Sequence, residues 1–195
     1  MIRAGDTIEN PVTGERVMFL KTSAETDEEM VLIDTTVAPN GFVAAEHIHP
    51  YQSERFEILE GVVEFKLDGE IVVARPGDVL MVGPGAAHQF RNIGEDEVRF
   101  LTEVCPALSF EEFLETMFGL AADGKTNSKG MPNPFQLAVV MNEQFDLVRL
   151  PSPPAWMQKT GLAFGAPLGR LLGYESAYVP EYEYAPEPEP VEMVA

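Results

Sequence analysis

The first half of the chain alternates between apolar and polar positions with a period of two, which is typical of β-strands. Within 62–67, Val63, Phe65 and Leu67 alternate with charged residues, so one face of this segment is apolar and the other polar. Other segments are rich in residues that favour strands. The predicted strands cover about 17–24, 28–38, 41–61 with a turn at 50–53, 62–67, 71–74, 78–82, 88–93 and 97–104.

Turns that contain glycine or proline separate these segments. Asp68-Gly69 lies between two of them and is a preferred sequence for a type I′ hairpin turn. Pro84-Gly85 marks another turn. Many short strands joined by such turns predict a mainly β fold of the sandwich or barrel kind.

After residue 105 the pattern changes to that of helices. Ser109 and Glu112 have the spacing of a capping box, which predicts the start of a helix. The last of three predicted helices is expected to be weak or kinked, because it contains several glycines and a proline. The predicted helices cover about 109–122, 134–145 and 155–174.

The change of pattern predicts three regions. Residues 1–105 are expected to form a β-barrel, and residues 106–175 a helical C-terminal extension. Residues 176–195 are acidic and rich in proline, glutamate and tyrosine, which is typical of a polyproline or disordered tail.

The net charge of the chain argues against one class of partner, and its cysteine content indicates a cellular compartment. The net charge of −19 would repel phosphates, so we expect no nucleic-acid partner. The single cysteine, Cys105, cannot form an intramolecular disulfide, which suits a reducing cytoplasm. The N-terminus lacks the apolar core of a signal peptide, and no apolar run is long enough to predict a transmembrane segment. We therefore expect a cytoplasmic protein.

The candidate chemistry lies in the histidines. His47 and His49 are two residues apart in a predicted strand, so their side chains share one face. Glu54 has the parity of the apolar residues that follow it, and His88 has the parity of Phe90. A carboxylate directed into an apolar face costs several kcal/mol unless a partner compensates it. Three imidazoles and one carboxylate are a suitable ligand set for a divalent transition metal.

Each of these features has a plainer explanation when taken alone. Two histidines in a strand are more often chance or hydrogen-bonded core residues, and a single glutamate or histidine after a turn is usually solvated. The combination favours a metal site, because all three histidines of the chain fall on inward positions.

These residues also resemble a known family. Gly41, His47, His49, Glu54 and Gly61 match the first cupin motif, G-x5-H-x-H-x4-E-x6-G, at every specified position.

The second cupin motif, G-x5-P-x-G-x2-H-x3-N, is matched by Gly77, Gly85, His88 and Asn92. Gly83 stands where the family usually has proline, which alters the turn but no ligand. Only one hairpin fits between the two motifs, as in the cupins with a short spacer.

The resemblance implies an antiparallel double-stranded β-helix, the jelly-roll barrel of the cupins, to which this chain adds C-terminal α-helices. It implies that one divalent transition metal ion, whether iron, manganese, nickel, zinc or copper, is held by His47, His49, Glu54 and His88. It also implies a homodimer, because cupins commonly pair through barrel strands.

The fold does not select one activity, since cupins include dioxygenases, isomerases, decarboxylases and ligand-binding modules. We favour a metal-dependent, dioxygenase-like oxidoreductase that acts on a small organic molecule, with Glu54 or a bound water as the proton acceptor. The alternatives are a non-catalytic cupin that binds a metal or a small ligand, and a sugar-type isomerase.

Other side chains near the ligands are weaker candidates. Tyr51, Gln52 and Gln89 are expected to face away from the ligands, and Arg91 has the opposite parity to His88. Ala45 is expected on the inner face, where its small side chain leaves space in front of the imidazoles.

Overall fold

The computed structural model describes residues 2–178 and 180. Within them the chain forms nine β-strands, then three α-helices, and a short 3-10 helix (Ser23–Glu25) precedes the third strand. The strands are β1 (Thr7–Asn10), β2 (Glu15–Lys21), β3 (Val31–Val37), β4 (Ser53–Glu60), β5 (Val63–Leu67), β6 (Glu70–Ala74), β7 (Val79–Val82), β8 (His88–Asn92) and β9 (Val98–Cys105). The helices are α1 (Phe110–Ala122), α2 (Pro134–Glu143) and α3 (Ala155–Leu171).

The strands form two antiparallel sheets. The larger sheet has the order β1-β2-β3-β9-β4-β7, and the smaller has the order β6-β5-β8. This is a jelly-roll barrel followed by helices, as the sequence predicts.

Aromatic rings fill much of the space between the sheets. Phe56 and Phe100 project from the larger sheet, Phe65 and Phe90 from the smaller, and neighbouring ring centroids lie 5.0 to 6.4 Å apart. All four are buried, and burying one such side chain contributes about 2 kcal/mol. The alternation of apolar and polar residues therefore specifies which face of each strand enters the barrel.

Glycines at two turns have the backbone conformation that the motifs suggest. Gly61 has a φ of +78°, and a Cβ there would lie 2.7 Å from the backbone oxygen of Glu97. Gly69 has a φ of +88° and follows Asp68 at +48°, which fits the predicted type I′ turn. Both turns require backbone conformations that glycine adopts readily.

Two predictions about local structure are wrong in detail. Residues 41–50 do not form a continuous strand; His47 and Ile48 each make an isolated bridge instead. Helix α1 begins directly after Ser109, as predicted, but the Ser109 side chain makes no capping hydrogen bond and instead donates to Gln144 Oε1. The third predicted helix is present, and α3 includes Pro167 within its range.

Helix α1 packs on the barrel, whereas α2 packs mainly against α3. Phe110 and Phe118 of α1 are buried against the N-terminal strands. The Asn133 side chain caps α2 by accepting hydrogen bonds from the backbone N–H groups of Phe135 and Gln136, both at 3.0 Å. After α2, the chain returns to the barrel at residues 147–150.

No helix in the described part of the chain is long and apolar enough to cross a membrane. Most of the predicted acidic tail, 176–195, lies outside the described residues.

Candidate metal centre

Four side chains from three parts of the chain converge inside the barrel. His47 and His49 come from the segment before β4, Glu54 from β4, and His88 from the start of β8. Their ligand atoms all lie within 4.8 Å of one another. His49, Glu54 and His88 are buried and His47 is partly buried. The structure thus brings together all four residues that the sequence analysis selected.

Backbone hydrogen bonds fix this arrangement although the segment is not a full strand. The His47 N–H donates to the His88 carbonyl at 3.0 Å, and the His88 N–H donates back at 2.9 Å. On the other side, Ile48 and Arg149 exchange two backbone hydrogen bonds of 2.9 and 3.1 Å. The histidine segment is therefore held between β8 and the chain that follows α2.

A backbone carbonyl orients each imidazole. The Nδ1 atoms of His47, His49 and His88 lie 2.9, 2.8 and 3.1 Å from the carbonyl oxygens of Ala45, Leu147 and Ala86, in that order. Since a carbonyl oxygen only accepts, each Nδ1 carries the hydrogen and each neutral ring has its lone pair on Nε2. This pattern is typical of histidines that bind a metal through Nε2.

The carboxylate completes the cluster. Glu54 Oε2 lies 2.7 Å from His88 Nε2 and 3.7 Å from His49 Nε2. Despite the short distance, the first pair lacks hydrogen-bond geometry, and both Glu54 Oε2 and His88 Nε2 are buried without a hydrogen-bond partner. Buried polar atoms are rarely left unpaired. A divalent transition ion among these nitrogen and oxygen donors would satisfy both atoms, so the residues fit such an ion.

The electrostatics of the cluster also suit metal binding. Burial, aided by repulsion from His88 and His49, lowers the pKa of His47 to about 3, so this ring is neutral at pH 7. Burial raises the pKa of Glu54, but the nearby imidazoles outweigh it and lower the pKa to about 2. Burial lowers the pKa of His88, yet the adjacent Glu54 raises it overall. An ion would therefore compete mainly with a proton on His88.

The cluster forms part of the wall of a cavity of about 160 Å³. The wall is largely apolar, and Ala45 lies in it beside the histidines, as expected, together with Ala44. This volume is close to that of an engineered apolar cavity that binds benzene, so it suits a molecule of about one ring. Six phenylalanines line the cavity: Phe56, Phe90, Phe100, Phe110, Phe113 and Phe118.

A larger groove of about 940 Å³ lies between α2 and α3, next to this cavity. Met131, Leu137, Met141 and Leu150 line both spaces. Met131 and Met141, which have flexible side chains, therefore lie at the boundary between the two spaces.

Two features of the site are missing from the sequence analysis. Leu147, whose carbonyl orients His49, lies 98 residues away along the chain, and no local pattern predicts this contact. Glu15 lines the same cavity and is buried. It has the parity of Val17 and Phe19 in β2, so the signal that identified Glu54 was also available for Glu15.

The weaker candidates lie outside the cavity wall. Tyr51 is 63% exposed, and Gln52 is buried but donates its side-chain N–H groups to the backbone oxygens of Pro106 and Ala107. Arg91 pairs with Glu64 on the barrel surface. Gln52 therefore has a structural role, whereas Tyr51 and Arg91 are surface residues.

The comparisons with known proteins agree with this architecture. Residues 33–104 match the family model of the Cupin domain. Polyketide synthase CurC of Streptomyces cyaneus is 39% identical over 62 residues, which are 32% of this chain and 40% of the relative. Quercetin 2,3-dioxygenase of Bacillus subtilis (strain 168) is 26% identical over 106 residues, 54% of this chain and 31% of the relative.

A third relative is matched over more of its length. The protein named "Probable oxidoreductase virH" of Hypocrea virens (strain Gv29-8 / FGSC 10586) is 28% identical over 155 residues, 73% of this chain and 68% of the relative. By contrast, the matches to the first two relatives span less than half of each.

Proposed function

Because this chain is a small cupin-domain protein with a metal-ligand cluster on the wall of an apolar cavity, we propose that it is a metal-dependent, dioxygenase-like oxidoreductase. Its substrate would be a small organic molecule with an apolar ring and an oxygen atom that reaches the cluster. The observation that carries the proposal is the convergence of four donor atoms beside a space large enough for such a ring.

The chain's own residues would bind and orient the substrate. Phenylalanine rings would enclose its apolar body and exclude water. A divalent ion held by the cluster would act as a Lewis acid toward the substrate oxygen. Glu54, ionised at neutral pH, would accept a proton only from a substrate hydroxyl that binding has made acidic, because its own pKa is low.

The apolar wall of the cavity favours a substrate with an apolar ring over a sugar. A sugar would lose the hydration of several hydroxyl groups in a largely apolar cavity, and each hydroxyl left unpaired costs free energy. Two of the relatives are also named as a dioxygenase and an oxidoreductase, which supports the oxidative alternative.

The test is oxygen consumption by protein loaded separately with iron, manganese, nickel, copper and zinc. Catechols, flavonols, β-diketones and thiols are the substrates to screen, with sugar phosphates tested in parallel for isomerisation. We expect metal-dependent oxygen uptake with at least one ring-containing substrate and none in a His49→Ala variant. Isomerisation of a sugar phosphate without oxygen uptake would contradict the proposal, and stoichiometric metal without any turnover would favour the non-catalytic alternative.

A further inference from the structure

A second buried carboxyl group faces the same cavity as the metal-ligand cluster. Glu15 lies on β2 with 8% of its surface exposed, and it lines the cavity with Val17 of the same strand. In the larger sheet β2 is three strands from β4, which carries Glu54. With neighbouring strands about 4.8 Å apart, the two strands are roughly 14 Å apart along the curved sheet. The two carboxyl groups thus belong to different parts of one cavity wall.

The turn between β1 and β2 holds this carboxyl group in place. The Thr13 hydroxyl donates a hydrogen bond of 2.7 Å to Glu15 Oε2. Thr13 is itself fixed, because its backbone N–H and that of Val12 donate to Asn10 Oδ1 at 3.2 and 3.1 Å. Within the described residues, the bond from Thr13 is the only hydrogen bond that the Glu15 carboxyl group makes. Its second oxygen, Oε1, therefore has no protein hydrogen bond from the described part of the chain that a ligand would have to displace.

Burying an ionisable side chain at position 15 costs free energy, and a purely structural role would not require such a side chain. Burial raises the pKa of Glu15 to about 7, although the hydrogen bond from Thr13 opposes this shift. At neutral pH a large fraction of Glu15 is consequently protonated and able to donate a hydrogen bond. A glutamine would hold the turn equally well without the cost of burying an ionisable group.

We propose that Glu15 is a second anchoring point for the substrate, where it donates a hydrogen bond to an oxygen atom remote from the one at the His47–His49–Glu54–His88 cluster. This inference rests on the proposed function and narrows its substrate class. The substrate would be a ring with oxygen atoms at two separated positions, one near the cluster and one near Glu15. Glu15 is then a positioning residue that selects substrates by their remote oxygen.

The test compares two ligands that differ only at that remote oxygen. 3,4-Dihydroxyacetophenone and 4-ethylcatechol share a catechol group for the cluster, but only the first has a carbonyl oxygen on its side chain. Calorimetric titration of zinc-loaded protein gives the affinity ratio of the ketone to the alkyl compound without redox turnover. The two ligands also differ in their intrinsic affinity for the metal. This difference is the same in every variant, so it cancels when the affinity ratio is compared between variants.

We expect the ratio to be roughly tenfold higher in the wild type than in Glu15→Leu, since one buried hydrogen bond is lost. Glu15→Gln should keep most of the preference, because its amide N–H can still donate. The control is Thr35→Val, which removes a buried hydroxyl from the same wall at a position paired with Val17, and should leave the ratio unchanged.

The outcomes separate the two proposals. Binding of both ligands with the same ratio in the wild type and Glu15→Leu overturns the role of Glu15 and leaves the proposed function standing. An equal fall in the affinity ratio in Thr35→Val also overturns the role of Glu15. Loss of another polar group from the cavity wall would then have the same effect, so the preference would not depend on Glu15. Failure of zinc-loaded protein to bind either ligand overturns the proposed substrate class and this inference together.

Discussion

At the scale of single residues, Glu54 is both one of the four expected metal ligands and the proposed proton acceptor. A Glu54→Gln change keeps an oxygen that can bind a metal but removes the acid–base group. We expect turnover of the substrate found by oxygen uptake to fall about a hundredfold, while metal content falls less than twofold. Elemental analysis and kinetics on the same preparation check this. A parallel fall in metal content and turnover would show that Glu54 acts only as a ligand.

Glu15 gives the protein a distinct dependence of stability on pH. The unfolded chain ionises Glu15 near its ordinary pKa of 4.5, whereas the folded protein holds the proton until about pH 7. The folded pKa is raised, so stability from this residue is full below pH 4.5 and is lost as pH rises to 7. The loss is about 3 kcal/mol relative to Glu15→Gln.

Urea unfolding of the wild type and Glu15→Gln at pH 4.5 to 7.5 measures this difference. Glu9→Gln is the matched control, because Glu9 lies on neighbouring β1 but is exposed to water. If the free energies of unfolding of wild type and Glu15→Gln change in parallel with pH, Glu15 is not buried as described.

At the scale of elements, the segment after α2 is part of the metal centre. Its Leu147 carbonyl orients His49, and the Arg149 N–H donates to Ile48 between the two histidines. Arg149→Pro removes that N–H and should lower metal affinity at least tenfold, as loss of a group that orients a ligand commonly does. Arg149→Ala removes the side chain but keeps the N–H, and should retain wild-type affinity.

Competition with a fluorescent zinc chelator gives both affinities. Equal affinity in the two variants would show that the helical extension does not support the site.

The same elements show what the sequence could and could not predict. The parity of His47, His49, Glu54 and His88 predicted that their side chains share an inner face, and the cupin resemblance implied the same set. The segment that holds the two histidines is nevertheless not a strand, since its partner on one side is Arg149 rather than a neighbouring strand. That pairing depends on how α1 and α2 return the chain to the barrel, which no local pattern encodes.

At the scale of the whole molecule, we expect a homodimer. Large apolar side chains are exposed on α3, including Phe164 at 77% and Leu171 at 84%, and such surfaces commonly mark an interface. Light scattering at micromolar concentration should give twice the chain mass of 21.5 kDa. Phe164→Glu combined with Leu171→Glu should shift the protein toward the monomer. A wild-type monomer under these conditions would contradict the prediction.

The most direct test of the central claim is the metal content of the whole protein. Protein purified without chelator and analysed by elemental mass spectrometry should contain about one divalent transition ion per chain. His88→Ala should lose most of it, because the variant removes one of the four donors. Wild-type protein that carries no such ion, and that cannot be loaded with iron, manganese, nickel, zinc or copper, would contradict the assignment of a metal centre.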